Sequence, residues 1–168
     1  PILIDMTTSV VSNATFMHHS AAGTALPGLW VKNNKGEFTN DPNVMSDDPP
    51  GTIAALGGEE FGYKGFALGM MVEALALALS GFGRTEDRRL MSEGVFVQII
   101  NPDYFAGRDT FLREMQALAD KTRSSRPASG HDRVRYPGER SLESYRQAQA
   151  SGIELSRDIQ ALLGISPT

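Results

Sequence analysis

The chain has 168 residues, a formal net charge of −4 and a sequence pI near 5.4. This is the size of one ordinary domain, and the acidic balance argues against a protein that holds nucleic acid in a general basic field. The absence of cysteine excludes disulfides and thiolate metal sites and fits a reducing compartment, so we expect a cytoplasmic protein.

An apolar run and a hydroxyl-rich segment open the chain. Pro-Ile-Leu-Ile is followed by Asp5-Met6-Thr7-Thr8-Ser9, which predicts a buried strand ending in a turn lined with short hydrogen-bonding groups. Such a turn can hold a ligand, although many turns rich in Ser and Thr are only structural. Residues 10–23 then predict a helix. Its tandem His18-His19 cannot chelate one ion side by side, because adjacent helical residues point in different directions.

Turn-forming residues dominate positions 26–58, which we interpret as a long, largely irregular loop beside a site. Its apolar anchors, Trp30, Val31, Phe38 and Ile53, predict that the loop is ordered. The acidic pairs Asp47-Asp48 and Glu59-Glu60 could bind a divalent cation, but hydrated surface carboxylates are commoner at such positions. We therefore predict no metal site.

A glycine-rich junction, residues 57–65, precedes an apolar stretch that predicts a helix over 66–79. Glycines allow close backbone approach, a helix start offers unpaired N–H groups and Lys64 adds a positive charge, so the junction suits a phosphate or carboxylate. A helix start with a surface lysine is the structural alternative. The order Tyr63-Lys64-Gly65 matches neither a P-loop nor the Rossmann fingerprint.

The apolar helix over 66–79 is predicted to be buried on several faces, and it is too short and too interrupted to span a membrane. Its length falls below the ~20 residues needed to cross a bilayer, and it contains Glu73. We therefore expect no membrane partner. Glu73 must find a partner or stay protonated, and a structural ion pair is a more ordinary role for it than catalysis.

The second half of the sequence predicts one strand followed by three helices. Residues 95–100 predict a buried strand, residues 109–123 an amphipathic helix, and two further helices run through Gln149 and over 156–163. Basic side chains gather around a break at 124–133 and a turn at 137–140. Arginines at such a turn suit phosphate recognition, although exposed arginines often only solvate a surface. These residues are Lys121, Arg123, Arg126, Arg133, Arg135 and Arg140.

Several ordered motifs give the sequence a family resemblance over essentially its whole length. The motifs are Asp5-Met6-Thr7-Thr8-Ser9, Leu26-Pro27-Gly28-Leu29-Trp30, Thr39-Asn40-Asp41-Pro42, Gly57-Gly58, Lys64-Gly65-Phe66-Ala67-Leu68, Met71-Val72-Glu73 and Arg135-Tyr136-Pro137-Gly138-Glu139-Arg140. In this order they resemble the malate/L-lactate dehydrogenase family of NAD(P)-dependent 2-hydroxyacid oxidoreductases, and specifically its C-terminal half.

The resemblance implies an α+β fold, with a mostly antiparallel sheet covered by helices and a non-Rossmann dinucleotide site, in a homodimer. It further implies an NAD(P)-binding domain over residues 1–126 and a C-terminal helical segment over 127–168 that packs on an N-terminal portion. The cofactor would be NAD or NADP, with the basic cluster favouring NADPH. The residues implied to line the cofactor are Ile4, Asp5, Met6, Thr7, Thr8, Ser9, Val10, Tyr63, Lys64, Gly138, Glu139 and Arg140.

Departures from the family pattern bear on catalysis. Thr15 stands where family members often carry lysine, and Pro27-Gly28-Leu29-Trp30 replaces the usual Pro-x-Gly-Trp order. The proton-donating histidine of the family lies on an N-terminal portion, and His18, His19 and His131 match no such position. We therefore assign no catalytic residue and expect the isolated chain to turn over no substrate.

The leading hypothesis is a cofactor-binding portion of an oxidoreductase that moves a hydride between NAD(P)H and a 2-keto or 2-hydroxy acid. Its expected partners are the small-molecule substrate, a second protomer and the N-terminal portion of the enzyme. A non-catalytic nucleotide-binding or assembly fragment is the alternative. A small independent enzyme that uses Glu73 or Lys64 as acid or base is a third possibility.

Overall fold

The computed structural model describes residues 1–81, 85, 93–155 and 157–165. The chain forms two compact units, one of Met6–Ile99 and one of Pro1–Asp5 with Ile100–Thr168. The opening residues join the second of these through a backbone hydrogen bond from Leu3 to the Pro137 carbonyl, 3.1 Å long. The functional division at residue 126 stays a prediction.

A small antiparallel sheet organises the Met6–Ile99 unit. Its strands are β1 (Val31–Lys32), β2 (Phe38–Thr39) and β3 (Thr52–Ile53), in the order β2-β1-β3. Val31 lies opposite Thr39 on one side and Ile53 on the other. The prediction of an antiparallel sheet with helices is confirmed for this unit. The prediction of a long, largely irregular loop over 26–58 is confirmed, because most of these residues lie outside helices and strands. The three strands within it were not predicted, because two-residue strands are too short to show the alternation that marks a strand.

The core of this unit lies against the sheet. Leu26, Val31 and Val44 are buried together. Phe16, Trp30, Met45 and Ile53 pack against them, so the prediction that Trp30, Val31 and Ile53 anchor this region is confirmed. A 3-10 helix, Pro42–Ser46, contributes Val44.

Helix α1 (Asn13–Ala21) is shorter than predicted because Ser12 caps its N-terminus, accepting a hydrogen bond from the Thr15 N–H. Ala14, Met17 and Ala21 of this helix are exposed, whereas Phe16 reaches the core. The Nδ1 atom of His19 lies 2.9 Å from the Thr24 hydroxyl, and His18 is exposed.

Helix α2 (Gly58–Ala76) begins eight residues earlier than predicted and is followed by a 3-10 turn, Ala78–Ser80. The prediction that it is buried is wrong: Gly65 is its one fully buried residue among those described. Within the described chain, Gly58–Ser80 is the single helix long and apolar enough to cross a bilayer. The expectation that this helix is too short to cross a bilayer is therefore wrong, because the helix begins at Gly58 and not at Phe66. Length and composition do not distinguish such a helix from the core helix of a protein that has no membrane.

The other unit is helical where the structure describes it. It contains a 3-10 turn, Pro102–Tyr104, followed by α3 (Arg108–Ser124), α4 (Glu139–Ser151) and α5 (Arg157–Leu162). The helices predicted over 109–123 and through Gln149 are thus confirmed, with Gly152 ending α4 at a positive φ of 81°. The helix predicted over 156–163 is confirmed for Arg157–Leu162, and residue 156 lies outside the described residues.

Neither of the two predicted strands, at the start of the chain and over 95–100, forms in the structure. Residues 1–7 and 93–100 have no assigned strand, and Ile4 is 73% exposed. Apolar, β-branched residues favour a strand, but a strand also needs a neighbouring backbone to pair with. Each of these segments lacks such a ladder within the described residues.

Candidate functional site

The hydroxyl-rich segment lies alongside the extension of strand β3. Ser9 forms an antiparallel bridge with Ala55, the Val10 N–H donates to the Ala54 carbonyl and the Leu56 N–H donates to the Thr8 carbonyl, both at 2.9 Å. This short ladder fixes the backbone of residues 8–10 against the sheet. The segment therefore has a defined position even though it is not a regular strand.

The hydroxyl groups of this segment have different partners. The Ser9 hydroxyl donates to the Val11 carbonyl at 2.8 Å and approaches the Thr7 hydroxyl at 3.1 Å. The Thr7 hydroxyl in turn donates to the Ser9 carbonyl. Thr7 and Ser9 thus hold the turn in shape, in the manner of short polar side chains that bond to nearby backbone. Thr8 points towards helix α2.

A cavity of about 640 Å³ lies between this segment, the end of β3 and α2, and we call it the hydroxyl cavity. Two glycines four residues apart, Gly65 and Gly69, present the same face of α2 to it. A Cβ placed on Gly69 would lie 3.6 Å from the Thr8 hydroxyl oxygen. The full lining is Thr8, Ser9, Ile53, Ala55, Gly65, Phe66, Gly69, Met70, Val72 and Glu73.

The lining of the hydroxyl cavity is mostly apolar with a few polar groups. Ile53, Phe66 and Met70 supply apolar surface, while Thr8 and Ser9 offer hydroxyl oxygens and Glu73 a carboxylate. A ligand with a flat or cyclic apolar body and hydrogen-bonding edges suits such a mixture. The lining carries no basic side chain, so it does not suit a phosphate group.

A second cavity, of about 460 Å³, shares Ile53, Ala55 and Phe66 with the first, and we call it the charged cavity. It is also lined by Lys32, Glu59, Glu60 and Tyr63. Glu59 and Glu60 occupy the first turn of α2, where negative charge is stabilised by the helix dipole. An anionic ligand at this helix start would meet two carboxylates, which opposes binding.

Lys64 does not lie at the start of a helix, contrary to the prediction for the glycine-rich junction. Because α2 begins at Gly58, Lys64 is the seventh helical residue and lies beyond the first-turn N–H groups. Its side chain is exposed, with Nζ 4.8 Å from the centre of the Phe61 ring. The geometry that motivated an anion site at this junction is therefore absent, whereas Tyr63 does line the charged cavity.

The predicted turn at Gly138 belongs to the other unit, with Ile4 and Asp5. Gly138 has a φ of +89° and packs so closely on Leu3 that a Cβ would lie 2.6 Å from the Leu3 Cβ. Both features require glycine. Arg140 is exposed at the start of α4.

Glu139 is held in a local network. One carboxylate oxygen lies 3.4 Å from the Arg123 Nε and 3.8 Å from an Arg133 nitrogen, and the other accepts a hydrogen bond from the Tyr136 N–H at 3.3 Å. The Arg123 guanidinium also stacks on the Tyr136 ring at 4.6 Å. Two arginines of the predicted basic cluster are thus engaged by side chains of their own unit.

A further ion pair joins Arg133 to Glu143. The hydrogen bond that Arg133 donates holds the pKa of the Glu143 carboxyl below its ordinary value, and the same bond raises the pKa of Arg133. Both groups are solvent-exposed, so water screens the interaction. This pair stabilises the turn only weakly.

A family model described as malate/L-lactate dehydrogenase matches residues 1–163 of this chain. The chain belongs to the malate/L-lactate dehydrogenase family. An L-lactate dehydrogenase from Cupriavidus necator is 31% identical over 155 residues, which are 90% of this chain and 43% of that protein. The resemblance deduced from the sequence motifs is therefore confirmed.

Solved structures show the same relationship. A dehydrogenase from Sinorhizobium meliloti superposes with a TM-score of 0.75 at 29% identity, over 98% of this chain and 48% of that one. A malate dehydrogenase from Entamoeba histolytica superposes with a TM-score of 0.78 at 19% identity, over 99% and 52%, and so shares the fold. The chain spans about half the length of these relatives.

The predicted cofactor residues of the Met6–Ile99 unit differ in whether they line a cavity. Thr8 and Ser9 line the hydroxyl cavity and Tyr63 lines its neighbour, whereas Lys64 lines neither. Gly69, Phe66 and Met70 were missed as lining residues. The Gly65-x-x-x-Gly69 spacing was a signal for them, since it places two small residues on one helix face.

Proposed function

We propose that this chain is the cofactor-binding portion of an NAD(P)-dependent oxidoreductase that moves a hydride between the nicotinamide and a 2-keto or 2-hydroxy acid. The observation that carries the proposal is the hydroxyl cavity. It is built from the same segment, Thr8 and Ser9, that the malate/L-lactate dehydrogenase resemblance assigns to the cofactor.

The residues of the hydroxyl cavity fit one part of a dinucleotide. A base or nicotinamide ring with its ribose is flat, cyclic and edged with hydrogen-bonding atoms, and it matches the apolar walls of Phe66 and Met70 beside the Thr8 hydroxyl. The lining offers no basic group for the pyrophosphate. We therefore assign the cavity to a nucleoside portion of the cofactor.

In this role the chain positions and shields the cofactor. Thr8 would hydrogen-bond a ribose or carboxamide, Gly69 would let the ligand approach α2, and Phe66 would exclude water from one side of the ring. The nicotinamide, when bound, supplies the hydride chemistry. His18 and His19 line neither cavity, so we assign the proton-donating group to a part of the enzyme outside this chain.

Further features of the proposal follow from the family. We propose that the active enzyme is a cytoplasmic homodimer, that it uses a non-Rossmann cofactor site and that it includes an N-terminal portion carrying the acid catalyst. Because Arg123 and Arg133 already contact Glu139 and Glu143, the basic cluster lends less support to NADPH than its sequence suggests. Ile4–Val10, Tyr63, Lys64 and Gly138–Arg140 remain the proposed cofactor residues.

The test is a calorimetric titration of NADH and NADPH into this chain produced within a polypeptide of full family length. Thr8→Val removes the hydroxyl while keeping the side-chain shape, so we expect cofactor affinity to fall about tenfold, the effect of losing one hydrogen bond to a buried ligand. Thr24→Val is the matched control, because Thr24 is exposed and lies outside both cavities.

Two results would contradict the proposal. If neither cofactor binds the full-length polypeptide, the oxidoreductase function fails, and a non-catalytic assembly role takes its place. If Thr8→Val and Thr24→Val bind the cofactor equally well, the hydroxyl cavity is not its site. Reduction of a 2-keto acid by the isolated chain would contradict the assignment of the catalytic acid to another portion.

A further inference from the structure

Arg123 lies near the C-terminal end of helix α3 and reaches the turn that leads into α4. Its Nε atom lies 3.4 Å from a carboxylate oxygen of Glu139, and a terminal nitrogen donates a hydrogen bond of 3.0 Å to the Tyr136 hydroxyl. The guanidinium also stacks on the Tyr136 ring. One side chain thus contacts both ends of this turn, which we call turn 136–139.

The Glu139 carboxylate holds turn 136–139 from within. Its second oxygen accepts a hydrogen bond from the Tyr136 N–H, and its side chain is only 11% exposed. A carboxylate so far removed from water needs charged or hydrogen-bonding partners, and Arg123 and Arg133 supply the positive charge. The contact between Arg123 and Glu139 is therefore more than a pair of hydrated surface charges.

Turn 136–139 holds the opening residues of the chain in place. The Leu3 N–H donates a hydrogen bond of 3.1 Å to the Pro137 carbonyl. Gly138 packs directly on Leu3, where a Cβ would lie 2.6 Å from the Leu3 Cβ. Because Leu3 directly precedes Ile4, a displacement of the turn would move the backbone at Gly138 and at Ile4 together.

We propose that Arg123 is a positioning residue for the cofactor site. It acts through Tyr136 and Glu139, which keep turn 136–139 in the geometry that places Gly138–Arg140 and Ile4 for the cofactor. The inference rests on the proposed function, because those residues belong to the proposed cofactor site. Arg123 itself makes no contact with the cofactor in this role.

The contacts at position 123 require the chemistry of arginine. A guanidinium is planar and carries several donors, so it can stack on a ring and bond to two acceptors at once. Lysine at position 123 would keep a charge opposite Glu139 and lose the planar stack on Tyr136. Arg113 of the same helix differs, because it pairs only with its neighbour Glu114, at 3.8 Å, and the two side chains are 68% and 71% exposed.

The first test is calorimetric titration of NADH and NADPH into the full-length polypeptide. Arg123→Met removes the charge and the donors, so we expect cofactor affinity to fall about tenfold. Arg113→Met is the matched control in the same helix and is expected to leave the affinity unchanged. Arg123→Lys keeps one of the contacts and should lower the affinity about threefold.

The second test is hydrogen exchange without cofactor, measured by mass spectrometry on the same polypeptides. In Arg123→Met we expect the peptides that cover residues 1–5 and 136–142 to exchange about tenfold faster, because the turn is released. Arg113→Met should exchange as wild type does. Tyr136→Phe removes the hydroxyl that Arg123 contacts and keeps the ring, so this milder variant should change exchange and affinity in the same direction if Arg123→Met does not fold.

The outcomes separate positioning from other roles of Arg123. Equal affinity losses in Arg123→Met and Arg113→Met, or wild-type affinity in Arg123→Lys, would overturn the proposal, because positive charge alone would then explain the effect. Lost affinity with unchanged exchange would overturn it too, in favour of a direct contact with the cofactor. Wild-type affinity in a folded Arg123→Met would overturn this proposal alone, whereas a wild-type polypeptide that binds neither cofactor overturns the proposed function and this proposal with it.

Discussion

Two apolar regions of the Met6–Ile99 unit differ sharply in their burial. The sheet core holds Leu26 and Val31 at 2% and 0% exposure, whereas α2 and residues 95–99 leave most of their large apolar side chains in water. The composition of the two regions is similar. Burial therefore depends on a complementary surface. Strands β1–β3 supply such a surface to each other, whereas the described chain supplies none to most of α2.

The substitution expected to change the free energy of unfolding most compares a buried with an exposed leucine. Leu26→Ala removes a buried side chain from the sheet core, so we expect it to lower the free energy of unfolding by about 2–5 kcal/mol. Leu79→Ala is the same substitution at an exposed position and should change it by less than about 0.5 kcal/mol. Urea unfolding followed by circular dichroism measures both. Equal losses would show that the Ala78–Ser80 turn after α2 is buried in solution.

The next effect compares two glycines of α2 that differ in how closely they pack on residues 55–56. A Cβ on Gly65 would meet the Leu56 backbone, so Gly65→Ala should destabilise the chain by about 1–3 kcal/mol through overpacking. Gly62→Ala is the control within the same helix, because its Cβ would lie at an ordinary 3.8 Å from Ala55. There the gain in helix propensity should stabilise by up to about 1 kcal/mol. The opposite signs should appear in thermal unfolding, and a stable Gly65→Ala chain would refute the close packing of α2 on Leu56.

The substitution with the smallest expected effect on stability breaks the exposed ion pair between Arg133 and Glu143. Arg133→Gln removes the hydrogen bond that lowers the pKa of Glu143, so that pKa should rise towards its ordinary value. Since a lowered carboxyl pKa adds stability above the unfolded pKa and loses it as pH falls, wild type and variant should converge at acidic pH. A titration of the Glu143 side chain by NMR measures the shift. An unchanged pKa would show that the pair does not form in solution.

Local signals in the sequence identified the long helices and the family. The amphipathic spacing of Phe111, Leu112 and Met115 predicts α3, and Gly152 marks the end of α4, because helix periodicity and capping are local properties. The ordered motifs from Asp5 to Arg140 identified the malate/L-lactate dehydrogenase family. Thr8 and Ser9 were singled out from their residue types alone and do line a cavity.

The predictions that were wrong concern strand pairing and the position of Lys64 in its helix. Residues 1–4 and 95–100 have strand composition but no ladder in the described chain, and the two-residue strands β1, β2 and β3 have a ladder without a strand pattern. Lys64 was placed at a helix start because the apolar run begins at Phe66. The helix begins at Gly58 instead, since Gly57 takes a φ of +103° and carboxylates occupy the first turn.

Residue types and short spacings establish which residues are apolar, where helices can run and which family the motifs belong to. Tertiary structure alone decided that Ser9 bridges Ala55, that Gly69 faces Thr8 and that Val31 is buried while Ile99 is not. The physical reason is that cavities and buried surfaces need two partners. Whether two such surfaces come into contact depends on how distant segments of the chain pack, and the composition of either segment does not determine it.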